Sequence, residues 1–270
     1  SESKNTTLVV KGWRALLLHL SHQQNYISMS NSNDFATTTP GVGKALSSGW
    51  ETMKVNFLYF FLIIILLSLL DGLMELFGRG ITGEGNFVKS LFSLDFEQCI
   101  TPGVIFAEFL AAAHFLLVMP VFDYGADLIF VQGVRRQKLD FKDFINGVNN
   151  YLTIILNHLL IVGLVGMALV AFIIPGIIVG CRLAFSSYLV MDKGLDPISA
   201  VETSWKLTRG HGWKIFGLGF LSIFIFILGF ICFFVGVFPA VMWIKASFAS
   251  LYQSVLDEKG EDFFPASEEA

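Results

Sequence analysis

The side chains of this sequence that could do chemistry are the ionisable ones inside apolar runs. Asp123 and Asp127 stand one helical turn apart in PVFDYGAD, and Arg182 ends the run IIPGIIVGCR. Glu108, His114, His158 and Lys245 also interrupt apolar stretches. A charge at the centre of a bilayer costs about 2.5–3.5 kcal/mol even on the lenient insertion scale, so such residues must pair, snorkel or face water. Arg182, at roughly 1.5 Å per residue, lies on the order of 10 Å beyond the turn expected at Pro175. The spacing puts Asp123 and Asp127 on one helix face, and the expectation is an in-membrane ion pair between Asp123 and Arg182. It would serve as a clasp between two helices or as a relay for a proton or a substrate. No His-Glu-x-x-His, His-x-x-Glu or paired-Asp spacing offers a metal site. No Walker loop, Ser/His/Asp arrangement or dinucleotide motif is present, so neither catalytic residues, a metal nor a cofactor is expected. Asp71 and Glu75, one turn apart, are read as lying in the aqueous interface or at a cation site.

The densest basic and aromatic cluster is Trp205, Lys206, Arg209, Trp213 and Lys214. It suits contact with anionic lipid headgroups, since basic residues near an anionic leaflet gain about 1 kcal/mol each. It also suits ordinary anchoring at the cytoplasmic interface. Gly176 and Gly180 are spaced for close helix packing.

These residues need elements to hold them, and composition says which. The chain has 270 residues, 54% of them hydrophobic and 15% charged, with 28 Phe and a net charge of −4. Its mean hydropathy is +0.66. A soluble domain carries roughly 25% charged residues, and one exposing this much apolar surface would aggregate. Bilayer is the solvent these residues suit. The net charge excludes a nucleic-acid binder with a basic footprint. The 3 Cys make neither a disulfide framework nor a zinc site.

A spanning helix needs about 20 apolar residues. One run extends from Val55 to Phe77 and another from about Gly103 to Val131. Two longer stretches, Tyr151 to Met191 and Trp213 to Leu256, each contain a mid-stretch proline, Pro175 and Pro239. Proline breaks helices, so each stretch reads as a pair of helices around a turn. All of the 18 Lys and Arg except Arg79, Lys89, Arg182 and Lys245 then fall on one face. By the positive-inside rule that face is cytoplasmic. The expected fold is all-α: a polytopic membrane protein with six transmembrane helices, arranged as three hairpins, with both termini cytoplasmic.

A phrase recurs before two of the spans. ALSSGW (residues 45–50) precedes the first, AVETSW (200–205) precedes the fifth, and a weaker copy, FKDFINGV (141–148), precedes the third. Each is expected to form a short interfacial helix ahead of a hairpin, with Trp and Lys/Arg at headgroup depth. Residues 1–40 are expected to be a disordered or non-native N-terminal segment, with Met29 opening a stretch like an ordinary bacterial N-terminus. Residues 41–256 are read as the six-helix domain and 257–270 as an acidic disordered tail.

Residues 174–183, IPGIIVGCRL, followed by 200–216, AVETSWKLTRGHGWKIF, form a pattern of PG, an in-membrane Arg, and S-W-x-L-T-x-G-x-x-W. With the closing ASLYQSVL (249–256) it resembles the membrane domain of bacterial glycerophosphoryl diester phosphodiesterases. It is similar too to a wider set of six-helix bacterial membrane proteins of unknown function. The resemblance implies architecture and a bacterial cytoplasmic membrane. The chemistry of those phosphodiesterases belongs to a separate soluble domain, so their activity is not implied.

The function expected from sequence is that of a noncatalytic integral membrane protein, a scaffold or accessory factor in cell-envelope or lipid homeostasis. Its partners would be membrane lipids, including anionic headgroups, and not nucleic acid. The alternative is a transporter of a small solute or lipid with a polar midplane site around Arg182.

Overall fold

The structure, a computed structural model, describes residues 39–82, 102–232 and 236–259. All of these but Thr39 belong to one compact unit, Pro40–Ala270. The expectations for residues 1–38, Arg79, Lys89 and 260–270 concern side chains or segments outside what is described.

Among the described residues the chain is helical and has no strand. The helices are α1 (Val42–Val55), α2 (Phe57–Thr82), α3 (Pro102–Ala113), α4 (Met119–Val134), α5 (Phe141–Asn149) and α6 (Tyr151–Ala171). They continue as α7 (Ile173–Leu183), α8 (Ser186–Lys193), α9 (Pro197–Leu207), α10 (Gly212–Ile231) and α11 (Val237–Lys259). A π-helical stretch, His114–Val118, joins α3 to α4. Pro102 opens α3 and Pro197 opens α9, where a missing N–H costs nothing.

Among the described residues, five segments are long and apolar enough to cross a membrane: Phe57–Phe77, Ile105–Val134, Tyr151–Ala171, Ile173–Lys193 and Gly212–Ile231. These support a multi-pass membrane protein. The sixth expected span, α11, has the length but carries Lys245, Ser247, Ser250, Gln253 and Ser254, and its composition is correspondingly less apolar.

The breaks fall near the prolines but not at them. A single residue, Phe172, in extended conformation (φ −163°, ψ 148°), separates α6 from α7. Pro175 lies in the first turn of α7, where no intrahelical donor is lost. Gly176 there leaves room for Leu169, which a Cβ would strike. Pro239 likewise sits in the first turn of α11.

The three recurring segments are all helices, α1, α5 and α9, each followed closely by a long apolar helix. Asn56 ends the first (φ −106°, ψ 24°) and Asn150 the second (φ −105°, ψ 28°), with nearly the same dihedrals. After α9 the corresponding break is at His211 (φ −111°, ψ 1°). Asp257 to Lys259, the first residues of the expected tail, are helical and continue α11; Gln253 donates to Asp257 at 2.7 Å and Glu258 Oε2 lies 3.2 Å from His211 Nε2.

The core lies where the short helices meet α4 and α11. Phe60, Phe130, Phe144, Phe185 and Tyr252 are fully buried there, with Phe60 and Phe130 ring centroids 4.2 Å apart. Trp243 donates from its indole to the Leu46 carbonyl at 2.8 Å, tying α11 to α1. Gly49 permits that contact, since a Cβ would strike Ser247. Around this core the long helices turn apolar side chains outward, up to 90% exposure at Val170. Outward apolar side chains fit lipid and not water.

Candidate functional site

Two groups of polar residues sit among the long helices. In the first, Asp123 and Asp127 share one face of α4, as their spacing requires. The partner they share is Lys245 of α11, whose Nζ lies 3.0 Å from Asp127 Oδ1 and 3.4 Å from Asp123 Oδ1. Ser187, from α8, donates to the other Asp127 oxygen at 2.9 Å. The Asp127 side chain is 13% exposed and that of Asp123 is 43% exposed. Beside this cluster Asn157 of α6, fully buried, donates to Tyr124 OH and accepts from Ser186 Oγ, both at 2.9 Å. The His158 ring meets Tyr124 and Phe115 edge-on.

The expected Asp123–Arg182 pair is therefore corrected: Asp123 pairs with Lys245, and Arg182 faces elsewhere. The reason is packing. α11 lies directly against α4, whereas Arg182 points from the end of α7 toward α9 and the start of α10.

The second group is built around Arg182. Its carbonyl oxygen, at the end of α7 where intrahelical donors run out, accepts from Ser204 Oγ at 2.8 Å and from Thr208 Oγ1 at 3.2 Å. Ser204 Oγ also accepts from the Phe185 N–H at 3.3 Å. The Ser and Thr of the S-W-x-L-T phrase thus clamp the helix end that bears Arg182. The Trp of that phrase holds the guanidinium, whose Cζ stands 5.7 Å from the Trp205 ring centroid. That distance is within cation–π range. Arg182 Nη1 is buried with no hydrogen-bond partner.

Arg182 opens into a groove of about 530 Å³. Its walls include Ile174, Ile177 and Ile178 of α7, and Trp213 and Phe216 of α10. Of the predicted lipid-contact residues, Trp213 lines the groove and Trp205 backs it through Arg182. Lys206 pairs at the surface with Glu202, at 3.7 Å. Arg209 is exposed and Lys214 is half-buried, neither lining the groove. The main chain of this turn is held by Lys259, whose ammonium donates to the Lys206 and Arg209 carbonyls at 3.4 and 3.3 Å.

A third network was not singled out from sequence. Arg135, just beyond α4, donates to both oxygens of Asp192 at the end of α8 and to Gln253 Oε1 at 2.7 Å. Tyr252 OH donates to Asp192 Oδ2 at 2.9 Å. Burial acts to lower the Arg135 pKa, but its bonds to Asp192 and that carboxylate's charge outweigh it and hold the guanidinium above its ordinary value. Burial pushes the Asp257 carboxyl up, against the opposing pull of Gln253 and Arg135. The signal in sequence is the Leu-Tyr-Gln element at 251–253.

Elsewhere, Asp71 meets His114 of the π-helical stretch at 3.3 Å. Among the described residues no group of three or more His, Cys, Asp or Glu is arranged to hold a metal ion. Comparisons with protein-family models, curated proteins and solved structures find no match for this chain.

Proposed function

We propose that this chain is a noncatalytic multi-pass protein of the bacterial cytoplasmic membrane that works by recognising anionic lipid, as a scaffold or accessory factor in lipid or envelope homeostasis. The observation that carries the reading is the group of cations at the α9–α10 turn. Arg182, Arg209 and Lys214 collect there with Trp205 and Trp213, and no carboxylate pairs with any of the three among the described residues. Basic residues with interfacial tryptophans attract an anionic leaflet. The finer architecture belongs to the same proposal: six crossings as three hairpins, with α1, α5 and α9 lying in the inner interface and both termini cytoplasmic. The likeness to the phosphodiesterase membrane domain supports a lipid-related role without supplying an activity.

The test is lipid enrichment. Protein extracted from mixed vesicles of phosphatidylglycerol and phosphatidylcholine, then analysed for retained lipid, is expected to keep phosphatidylglycerol in excess of the input ratio. Retention at the input ratio overturns the reading. Cysteines placed at Lys138 and Lys206 should resist an impermeant reagent added outside cells; external labelling at Lys206 overturns the topology.

A second reading, a transporter, is favoured by one observation. Two carboxylates and an ammonium meet among long apolar helices with Asp123 still partly open, the kind of polar site that transporters hold near mid-membrane. Its midplane site would then lie at Lys245 and Asp127 and not at Arg182. Proton or cation uptake into proteoliposomes that K245M abolishes would support it.

A further inference from the structure

We propose that the groove beside Arg182 is a binding site for one anionic phospholipid, with its phosphate on the guanidinium and an acyl chain along the isoleucine wall. This deepens the lipid-recognition reading and rests on it, replacing a general attraction to the leaflet by a defined one-to-one site.

Four observations converge. The first is an unmet donor. Arginine carries five N–H groups, and Arg182 Nη1 is buried without an acceptor. A buried charged donor left unpaired is costly, and an anion in the groove that Arg182 lines would compensate a charge for which the protein supplies no counter-ion among the described residues. The side chains that could have completed it are engaged elsewhere. Asp123 and Asp127 hold Lys245, Glu202 holds Lys206, and Glu258 meets His211.

The second is preorganisation. Ser204 and Thr208 fix the Arg182 main chain and Trp205 lies against its guanidinium. A cation–π contact orients the planar group but satisfies none of its N–H donors. The guanidinium is therefore positioned for an anion, and its forked geometry suits phosphate oxygens.

The third is space at the mouth. Gly210 and Gly212, which line the groove, have nothing within 4 Å of where a Cβ would stand. Gly210 also adopts φ 89°, a conformation that other residues rarely take. A headgroup can approach the main chain there. Arg209 and Lys214 flank this turn and add positive potential around it.

The fourth decides between a lipid and a free phosphate. The rest of the lining is apolar, Ile174, Ile177 and Ile178 from the turns of α7 before Arg182 and Trp213 and Phe216 from α10, and it opens outward, Ile174 being 72% and Trp213 85% exposed. A soluble phosphate gains nothing from such a wall. An amphiphile gains from both ends. Gly212, at the mouth of the groove, is the first residue of the apolar segment Gly212–Ile231, so the mouth lies at the end of a candidate span, where phosphates reside and where tryptophan is favoured. The volume is within the roughly 300–1,000 Å³ of small-molecule sites.

The experiment uses the delipidated 270-residue chain in neutral detergent, titrated with dioleoyl phosphatidylglycerol and followed by native mass spectrometry. One lipid should bind, and glycerol 3-phosphate at millimolar concentration should not displace it. R182Q should weaken binding about tenfold or more, the scale of a lost charge-assisted hydrogen bond, without lowering the melting temperature, because Arg182 has no ion-pair partner to strand. I177W, which fills the chain slot while keeping Arg182, should also lose the bound lipid; it keeps the test decisive if R182Q folds poorly. Wild-type selectivity for phosphatidylglycerol that survives unchanged in I177W and in folded R182Q overturns the site but leaves the lipid-recognition reading standing. Displacement by glycerol 3-phosphate overturns the acyl-chain half of the proposal. Wild type that binds phosphatidylcholine equally well overturns both.

Discussion

Arg135 and Asp192 form a two-point ion pair, Nη1 to Oδ1 and Nη2 to Oδ2, the latter at 2.7 Å, with the Asp192 side chain only 6% exposed. The pair joins the end of α4 to the end of α8, and Tyr252 and Gln253 bring α11 to the same point. Helices that are apolar on every side can slide and rotate against one another at little cost, because lipid replaces a lost apolar contact. A bidentate pair at their polar ends resists that freedom.

Breaking this pair from either side should be severe. R135A leaves Asp192 with Tyr252 alone, and a broken buried pair costs on the order of 3 kcal/mol. Y252F removes one hydrogen bond to a carboxylate and should cost less, about 1.5–3 kcal/mol. Melting temperatures in detergent should rank wild type above Y252F above R135A; equal melting of R135A and wild type would show that the network does not hold the bundle.

Double-mutant cycles separate the two sets of membrane ions. Lys245 and Asp127 share a bond at 3.0 Å, so the K245A and D127A losses should be strongly non-additive. D123A should cost least of the three, its bond being 3.4 Å and its side chain half open to its surroundings. D123A and R182A should be additive within about 0.5 kcal/mol, as independent sites are. Non-additivity in that last cycle would restore the pairing that the structure replaces.

Gly125 and Gly147 mark where α4 and α5 touch backbone to backbone. A Cβ on Gly125 would strike the Phe144 carbonyl, and one on Gly147 the Val121 carbonyl. Neither neighbour is a flexible side-chain tip, so the helices themselves must separate. G125A should lower stability by about 1–3 kcal/mol, the usual range for overpacking, whereas G163A on α6, with open space around it, should be close to neutral. A G125A protein as stable as G163A would mean that the two helices are not in that contact.

Asp196 caps α9, accepting from the Ser199 N–H at 3.2 Å. Hydrogen bonds from Ser199 are the main reason that its carboxyl is held below the usual carboxylate range. A depressed folded pKa means that the stabilisation is present above the unfolded value, near 3.9, and is lost as pH falls through the folded one. D196A should cost about 1 kcal/mol at neutral pH, as for other N-caps, and the gap should close in acid. A gap independent of pH between 7 and 3 would deny the carboxylate its capping role.

Apolar run length alone was enough to bring out the five described helices that are long and apolar enough to span a membrane, though not to qualify the expected sixth. The i, i+4 rule placed Asp123 and Asp127 on one face, and the recurring phrase, Trp-terminated in two of its three copies, marked helices that all form. These are local properties, set within one or two turns of chain. The tertiary structure decided the rest. Arg182 and Lys245 were equally available to Asp123 by residue type and rough depth, but only packing determines that α11 lies against α4 while the end of α7 turns to α9 and α10. The turn between α6 and α7 falls at Phe172 because Pro175 is acceptable inside a first helical turn, a choice that the presence of proline leaves open. Asn157 looks in sequence like a lone polar residue in an apolar helix, and Tyr124 and Ser186 reach it only once three helices have met. Periodicity tells which face a residue occupies; it carries no information on which helix will be across from that face, and in a bundle whose helices are apolar all round, that is the information that makes a site.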